Sequence, residues 1–357
     1  MDGRLQAATV TSRPAENARH AKAFRLGGFA VAFALAACST STSTPASSAP
    51  AASAPAESLP AAESSPATSS LPPAAIATFA TPVNPVAIVA ASGSVWVMTH
   101  DGDLYRIDPT SNTEATPVNL DKQLCGEPVA ALGELFVTYC EGGPTAIVDP
   151  ATMKLAGSFP NQALQPAIGA GSIWATSELG PPTGSVVRID PVTHSVKATI
   201  KVGGMPEAIA FGASSAWVAN AADGTVSRID PSTNTVTATI KAGVAGDDVN
   251  ELFALGSVWV SPSAQSSSDN ARFWRIDPAT NAATEFSVPD ALGFVAAGDS
   301  KALWVSTASG VVEIDASSLK IIASLPVPKA GPVLAAYGSV WVAVLQPPSV
   351  WRLRSAT

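Results

Sequence analysis

Apolar and polar residues alternate in short runs through most of the chain, and the runs recur. The clearest stretch is Glu207 to Gly243, EAIAFGASSAWVANAADGTVSRIDPSTNTVTATIKAG. Four runs of alternating or β-branched residues stand out in it: Ala208–Phe211, Ala216–Ala219, Thr225–Ile229 and Thr235–Ile240. Gly, Asn, Asp, Ser and Pro separate them, and these residues supply turns. None of the runs carries an apolar period of 3.6 long enough to compete as a helix. The pattern predicts four short strands in about forty residues.

The unit repeats, and two anchors count it. One is an aromatic inside a GSVWV-like run: Trp96, Phe136, Trp174, Trp217, Trp259, Trp304 and Trp341. The other is an RIDP-like run: Ile107-Asp108, Val148-Asp149, Ile189-Asp190, Ile229-Asp230, Ile276-Asp277, Ile314-Asp315 and a degenerate Leu353-Arg354. Both give seven. Spacings of 43, 42, 45 and 37 from Trp174 onward show loops changing length around constant strands. Aromatics at this period read as packing between units rather than as a ligand box. Seven four-stranded antiparallel units predict an all-β, seven-bladed β-propeller over residues 74–357.

The seventh copy ends after its third strand, at Thr357. A spare strand-like segment, Ala75–Ala80, precedes the first copy. An open ring would leave two exposed sheet edges. The expectation is therefore that the N-terminal strand completes the last blade and closes the ring.

Residues 1–37 read as a leader. Arg13, Arg19, Lys22 and Arg25 precede the uncharged run Leu26–Ala37, which is shorter than the about 20 residues a bilayer span needs. Leu35-Ala36-Ala37-Cys38 resembles the lipobox of bacterial lipoproteins, which implies cleavage before Cys38 and acylation of that cysteine. Two or more acyl chains hold a protein on a membrane. The expected location is thus outside the cytoplasm, anchored by lipid to the outer side of the cytoplasmic membrane or to the cell envelope. Residues 38–73 are almost wholly Ser, Thr, Ala and Pro, and read as a tether with little to bury.

Charge narrows the partners. Residues 1–37 hold five basic and two acidic residues; without them the chain has 15 Lys+Arg against 26 Asp+Glu, a formal −11. Nucleic acid needs a basic footprint, and none is present. The expected form is a monomer meeting an envelope protein, a peptide or a small ligand.

Candidate chemistry is sparse. A turn centred on Leu132-Gly133 would set Cys125 opposite Cys140, so a disulfide stapling blade 2 is expected. The Asp-Pro-x-x-Asn runs read as turns. Binding on a propeller belongs at the channel mouth, built by the loops after each Trp strand and those leading into each innermost strand. These bring His100, Glu178, Glu127, Glu207, Asp247, Asp248, Glu251 and Asp290, an acidic set suited to a cation or basic ligand. Of three histidines, His20 is in the leader and His194 in a rim turn, so no multi-His metal site can form. His100-Asp101-Gly102-Asp103 offers oxygens for Mg²⁺ or Ca²⁺ but not a twelve-residue calcium loop. Ser317–Lys320 spells S-x-x-K but falls in a rim turn, not a helix start, and reads as coincidence; G-x-S-x-G, phosphate-loop and dinucleotide motifs are absent. Inserts lengthen 177–184, 243–251 and 261–272.

Across roughly Ala74 to Arg354, GSVWV with TVSRIDPSTNTV resembles the YVTN/YncE-like β-propeller repeat of bacterial envelope and secreted proteins. That resemblance implies non-enzymatic binding or scaffolding and no cofactor. The streptogramin B lyases resemble the chain more distantly. They imply the alternative, a metal-assisted lyase or hydrolase in which His100 is the catalytic residue and acids such as Glu178 or Glu207 hold Mg²⁺.

Overall fold

The computed structural model describes residues 75–354 except 140–144, 160–165, 178–183, 244, 246–248, 263–271 and 298–301. Every regular element among them is a β-strand. In blade 4 the strands are Pro206–Gly212, Ser215–Asn220, Thr225–Asp230 and Thr235–Lys241, paired antiparallel in chain order. They coincide with the predicted runs to within a residue or two. Seven such sheets form the ring. Their innermost strands neighbour one another in a closed circle, from the first blade to the seventh and back to the first.

Blade 7 closes the ring as the repeat count requires. Its chain-order strands are Ala330–Ala336, Ser339–Leu345 and Pro348–Arg354, and Ala75–Ala80 adds antiparallel to the last of them, Ala80 opposite Ser349. Phe79, buried, stacks at 6.0 Å on Trp341.

The core lies between blades. The second strand of each blade is the most buried, and Trp96, Trp174, Trp217, Trp304 and Trp341 are sealed from solvent. Five of the tryptophans donate their indole N–H to a carbonyl five residues back, at the end of the innermost strand: Trp96 to Ala91, Trp174 to Gly169, Trp217 to Gly212, Trp259 to Ala254 and Trp341 to Ala336, at 2.9–3.2 Å. Each tryptophan thus pins its own first hairpin while its ring fills the seam. Those hairpins turn through two successive positive φ values, as at Leu255-Gly256 (53° and 73°) and Tyr337-Gly338 (54° and 64°). This matches the right-handed twist of the flanking strands.

One expected register is corrected. In blade 2 the pairs Ala131–Glu134, Ala130–Leu135 and Val129–Phe136 follow the turn as counted, but the ladder then shifts, and Cys125 faces Thr138. Pro128, which has no N–H to donate, sits in the shift. The innermost strands of blades 1, 4 and 7 shift at the same end, each with a proline there: Pro85, Pro206 and Pro332. Direct opposition, the argument for a Cys125–Cys140 disulfide, is thereby removed. Cys140 itself lies outside the described residues.

Candidate functional site at the channel mouth

The two loop sets expected to build the mouth are tied together by main-chain bonds. The residue four past the anchor tryptophan donates its N–H to a carbonyl just before the innermost strand: His100 to Asn84 (3.4 Å), Ala221 to Met205 (2.8 Å), Ala308 to Asp290 (2.9 Å) and Leu345 to Lys329 (3.0 Å). Met205, Asp290 and Lys329 hold positive φ to aim that carbonyl. The loops therefore share one face.

On that face His100 is half-buried and begins the loop after Ser94–Thr99. Thr99 Oγ1 donates to Asp101 Oδ1 at 2.7 Å, and Asn119 Nδ2 donates to Asp103 Oδ1 at 2.7 Å. Both acids beside His100 thus already accept from neutral groups. Tyr105 O–H reaches Asp103 Oδ2 at 3.3 Å; burial, helped by the Asp103 charge, pushes its pKa up to about 12. Glu207 Oε2 accepts the Val249 N–H at 2.9 Å, linking the innermost strands of blades 4 and 5. Asp290 is exposed.

Glu251 sits differently from the sequence expectation. It is the third residue of the innermost strand Val249–Ala254, opposite Val260. The residue retains some exposure, yet both carboxylate oxygens are sealed and no well-formed hydrogen bond reaches them. Burial holds its pKa well above the usual carboxylate range, and the nearby Ala219 and Ala210 amides oppose this only in part. It borders a cavity of about 50 Å³, lined also by Asn250, Trp259, Ser261, Phe273 and Phe286. That is room for one or a few waters. Cys38, Glu178, Asp247 and Asp248 lie outside the described residues, as does the Glu127 side chain. Among the described residues no three of His, Cys, Asp and Glu converge as a metal-ligand set.

The opposite face carries the Asp turns, Asp-Pro in all but blade 6, where Ala316 follows Asp315. Asp108, Asp149, Asp190, Asp230, Asp277 and Asp315 each accept main-chain N–H groups of their own turn, such as Thr110 to Asp108 at 2.7 Å. Hydrogen bonds to side chains and amides in the turn hold these carboxyls below the usual range, that of Asp315 at about 2; at Asp190 the largest cause is the Lys197 ammonium of the following strand, 2.7 Å away. The turn reading stands.

Their arginine carries a feature that reading a single blade misses. Arg106, Arg188, Arg228 and Arg352 each lie over the tryptophan of their own blade, 4.7–5.8 Å from its ring centre. Each Nε donates to a serine two residues before that tryptophan: Ser94, Ser172, Ser215 or Ser339. Each Nη1 then crosses to the next blade's turn, Arg106 to Pro150 O, Arg188 to Pro231 O, Arg228 to Pro278 O and Arg352 to Pro109 O. Arg275 does the same to Ala316 O at 2.9 Å. Where the receiving turn has Asn, its side-chain oxygen accepts as well: Asn112 at 2.7 Å, Asn234 at 3.0 Å and Asn281 at 2.9 Å. The signal was visible as a serine, tryptophan and arginine recurring together, but only the ring shows that the arginine reaches its neighbour.

No protein-family profile matches the chain, and no curated protein does. Solved structures do: 1484 chains resemble it, a breadth that identifies architecture and nothing narrower. One is hydrazine synthase of Kuenenia stuttgartiensis, with a TM-score of 0.64 at 11% identity, over 78% of this chain and 97% of that one. At that identity the likeness shows a shared fold alone: the chain is a seven-bladed β-propeller sealed by its N-terminal strand.

Proposed function

We propose that the chain is an exported, lipid-anchored propeller of the YVTN/YncE-like kind that binds, without catalysis, a basic segment of an envelope protein or peptide at its mouth. The observation that carries this is Glu207. Its carboxylate is fixed across the seam of blades 4 and 5 by the Val249 N–H, at the inner end of the 243–251 insert that brings Asp247 and Asp248. A carboxylate held in place beside an insert whose sequence carries two further acids suits a cationic partner, whose attraction falls with salt.

The test uses the full lipidated chain in detergent-solubilised envelope. A captured partner should be released by salt, and lost when Glu207→Gln, Asp247→Asn and Asp248→Asn are combined, while His100→Ala keeps it. Capture indifferent to those three changes would refute the acidic mouth. A turnover abolished by His100→Ala, together with a melting point raised by Mg²⁺ and restored by chelator, would instead favour the metal-assisted lyase.

A further inference from the structure

The cross-blade arginines do not run all the way round. They join blades 1 to 2, 3 to 4, 4 to 5, 5 to 6 and 7 to 1. Among the described residues no arginine crosses from blade 2 to 3 or from blade 6 to 7. The arginine position is the one opposite the anchor aromatic. Blade 6 has Glu313 there, opposite Trp304, and blade 2 has Ile147, opposite Phe136.

The two gaps have different origins. Blade 7 takes its fourth strand from Ala75–Ala80, so it has no hairpin between third and fourth strands and no turn carbonyl to receive a donor. An arginine from blade 6 would there be a half-buried cation without its acceptor, which is costly. That seam is filled instead by a broad apolar cluster including Trp304, Val311, Val340, Val342 and Leu353. Blade 3 differs. Its turn Asp190–His194 is complete, with Val192 and Thr193 amides on Asp190 and the His194 N–H on the Asp190 carbonyl. The acceptor is in place and the donor has been left out.

Two more features weaken the same seam. Phe136 has no indole N–H to pin its hairpin as the tryptophans do. The innermost strand of blade 3, Ala167–Gly169, has three residues, against six to eight in the other blades. Among the described residues the buried apolar cluster at this seam is small: Phe136, Ile147, Ile173, Ala175 and Ile189, with Val129, Ile168 and Val187 packed against it.

We infer that the seam between blades 2 and 3 is the ring's built-in opening point, where the closed circle splays into an arc while the other six seams hold. Free energies of local opening differ across a fold with the bonds that each opening breaks. A charge-assisted bond into a turn is among the stronger ones.

Hydrogen exchange of the full native chain tests this. Amides of Ser172–Ser177 and Glu134–Tyr139 should exchange about tenfold or more faster than their equivalents in blades 4 and 5. Ile147→Arg combined with His194→Asn rebuilds the pair seen at Arg188 and Asn234, and should slow exchange in blades 2 and 3 by a similar factor without changing blades 4 and 5. Should that variant not fold, Arg228→Ala removes the latch between blades 4 and 5 and should raise exchange there toward the blade 2 level. Uniform exchange round the ring, fastest exchange at another seam, a folded double variant with unchanged exchange, or an indifferent Arg228→Ala would each overturn the inference.

Discussion

Glu251 occupies a position that Ile88, Ile209 and Val333 fill in other blades, counted from the first hairpin turn. Burial seals its oxygens and the Ala219 and Ala210 amides offset this only in part, so its charged form is disfavoured in the folded chain. The raised pKa has a definite sign. Above the ordinary carboxyl pKa of 4.5 the unfolded chain releases this proton while the folded chain keeps it, so stability is lost as pH climbs from there toward the folded value. Glu251→Gln should therefore melt higher than the parent at pH 8, by on the order of a few degrees, and equally at pH 4; differential scanning calorimetry at both pH values decides it. The arginines work in the other direction. Arg228 bonds Ser215, Pro278 and Asn281 and lies over Trp217. Arg228→Ala should cost about 2–4 kcal/mol in urea unfolding, and Arg228→Lys should recover little, because an ammonium cannot reproduce the fork. Sequence made the Asp turns legible and left this arginine unread, because its partners lie about fifty positions away. Glu251 looked like a loop acid since the insert before it hid where the strand begins.

Strands were the most legible elements, since turn residues bracket each one. The closing strand was legible too, from a copy that lacked its fourth member. What escaped was the shift at the start of the innermost strands. Alternation reads straight through a bulge, and a proline marks it in blades 1, 2, 4 and 7 but not in blade 6, where the shift lies between Ala291 and Val295. In blade 2 this displaced Cys125 from its expected neighbour. The closing strand gives a direct prediction. Phe79 is buried against Trp341, and Phe79→Ala should cost about 3–5 kcal/mol. Deleting Ala75–Ala80 should cut the melting temperature far more, since it bares the outer edge of blade 7. An unchanged melting curve for the deletion would contradict the pairing of Ala80 with Ser349.

For the whole molecule, the repeat count was sufficient to give the ring, because seven copies of a unit that cannot bury its own faces have few ways to cover them. The mouth was legible as a place and less so as a constellation. His100, Glu207 and Asp290 share the predicted face, while Glu251 is turned into the wall between blades. The irregular seams of the ring, by contrast, appear only when the copies are compared by what each gives to the next.

The ring's seal has a consequence for biogenesis. Among the described residues the earliest strand in the chain borders the latest, Ala80 against Ser349 and Ala75 against Leu353. Every other blade draws its strands from one continuous stretch and can assemble as it emerges. The seventh waits for Pro348–Arg354, and that late, distant pairing is the slow step that topology imposes. A polypeptide lacking Pro348–Arg354 would carry two sticky borders instead of none, so the pairing of that strand and the loss of aggregation risk arrive together.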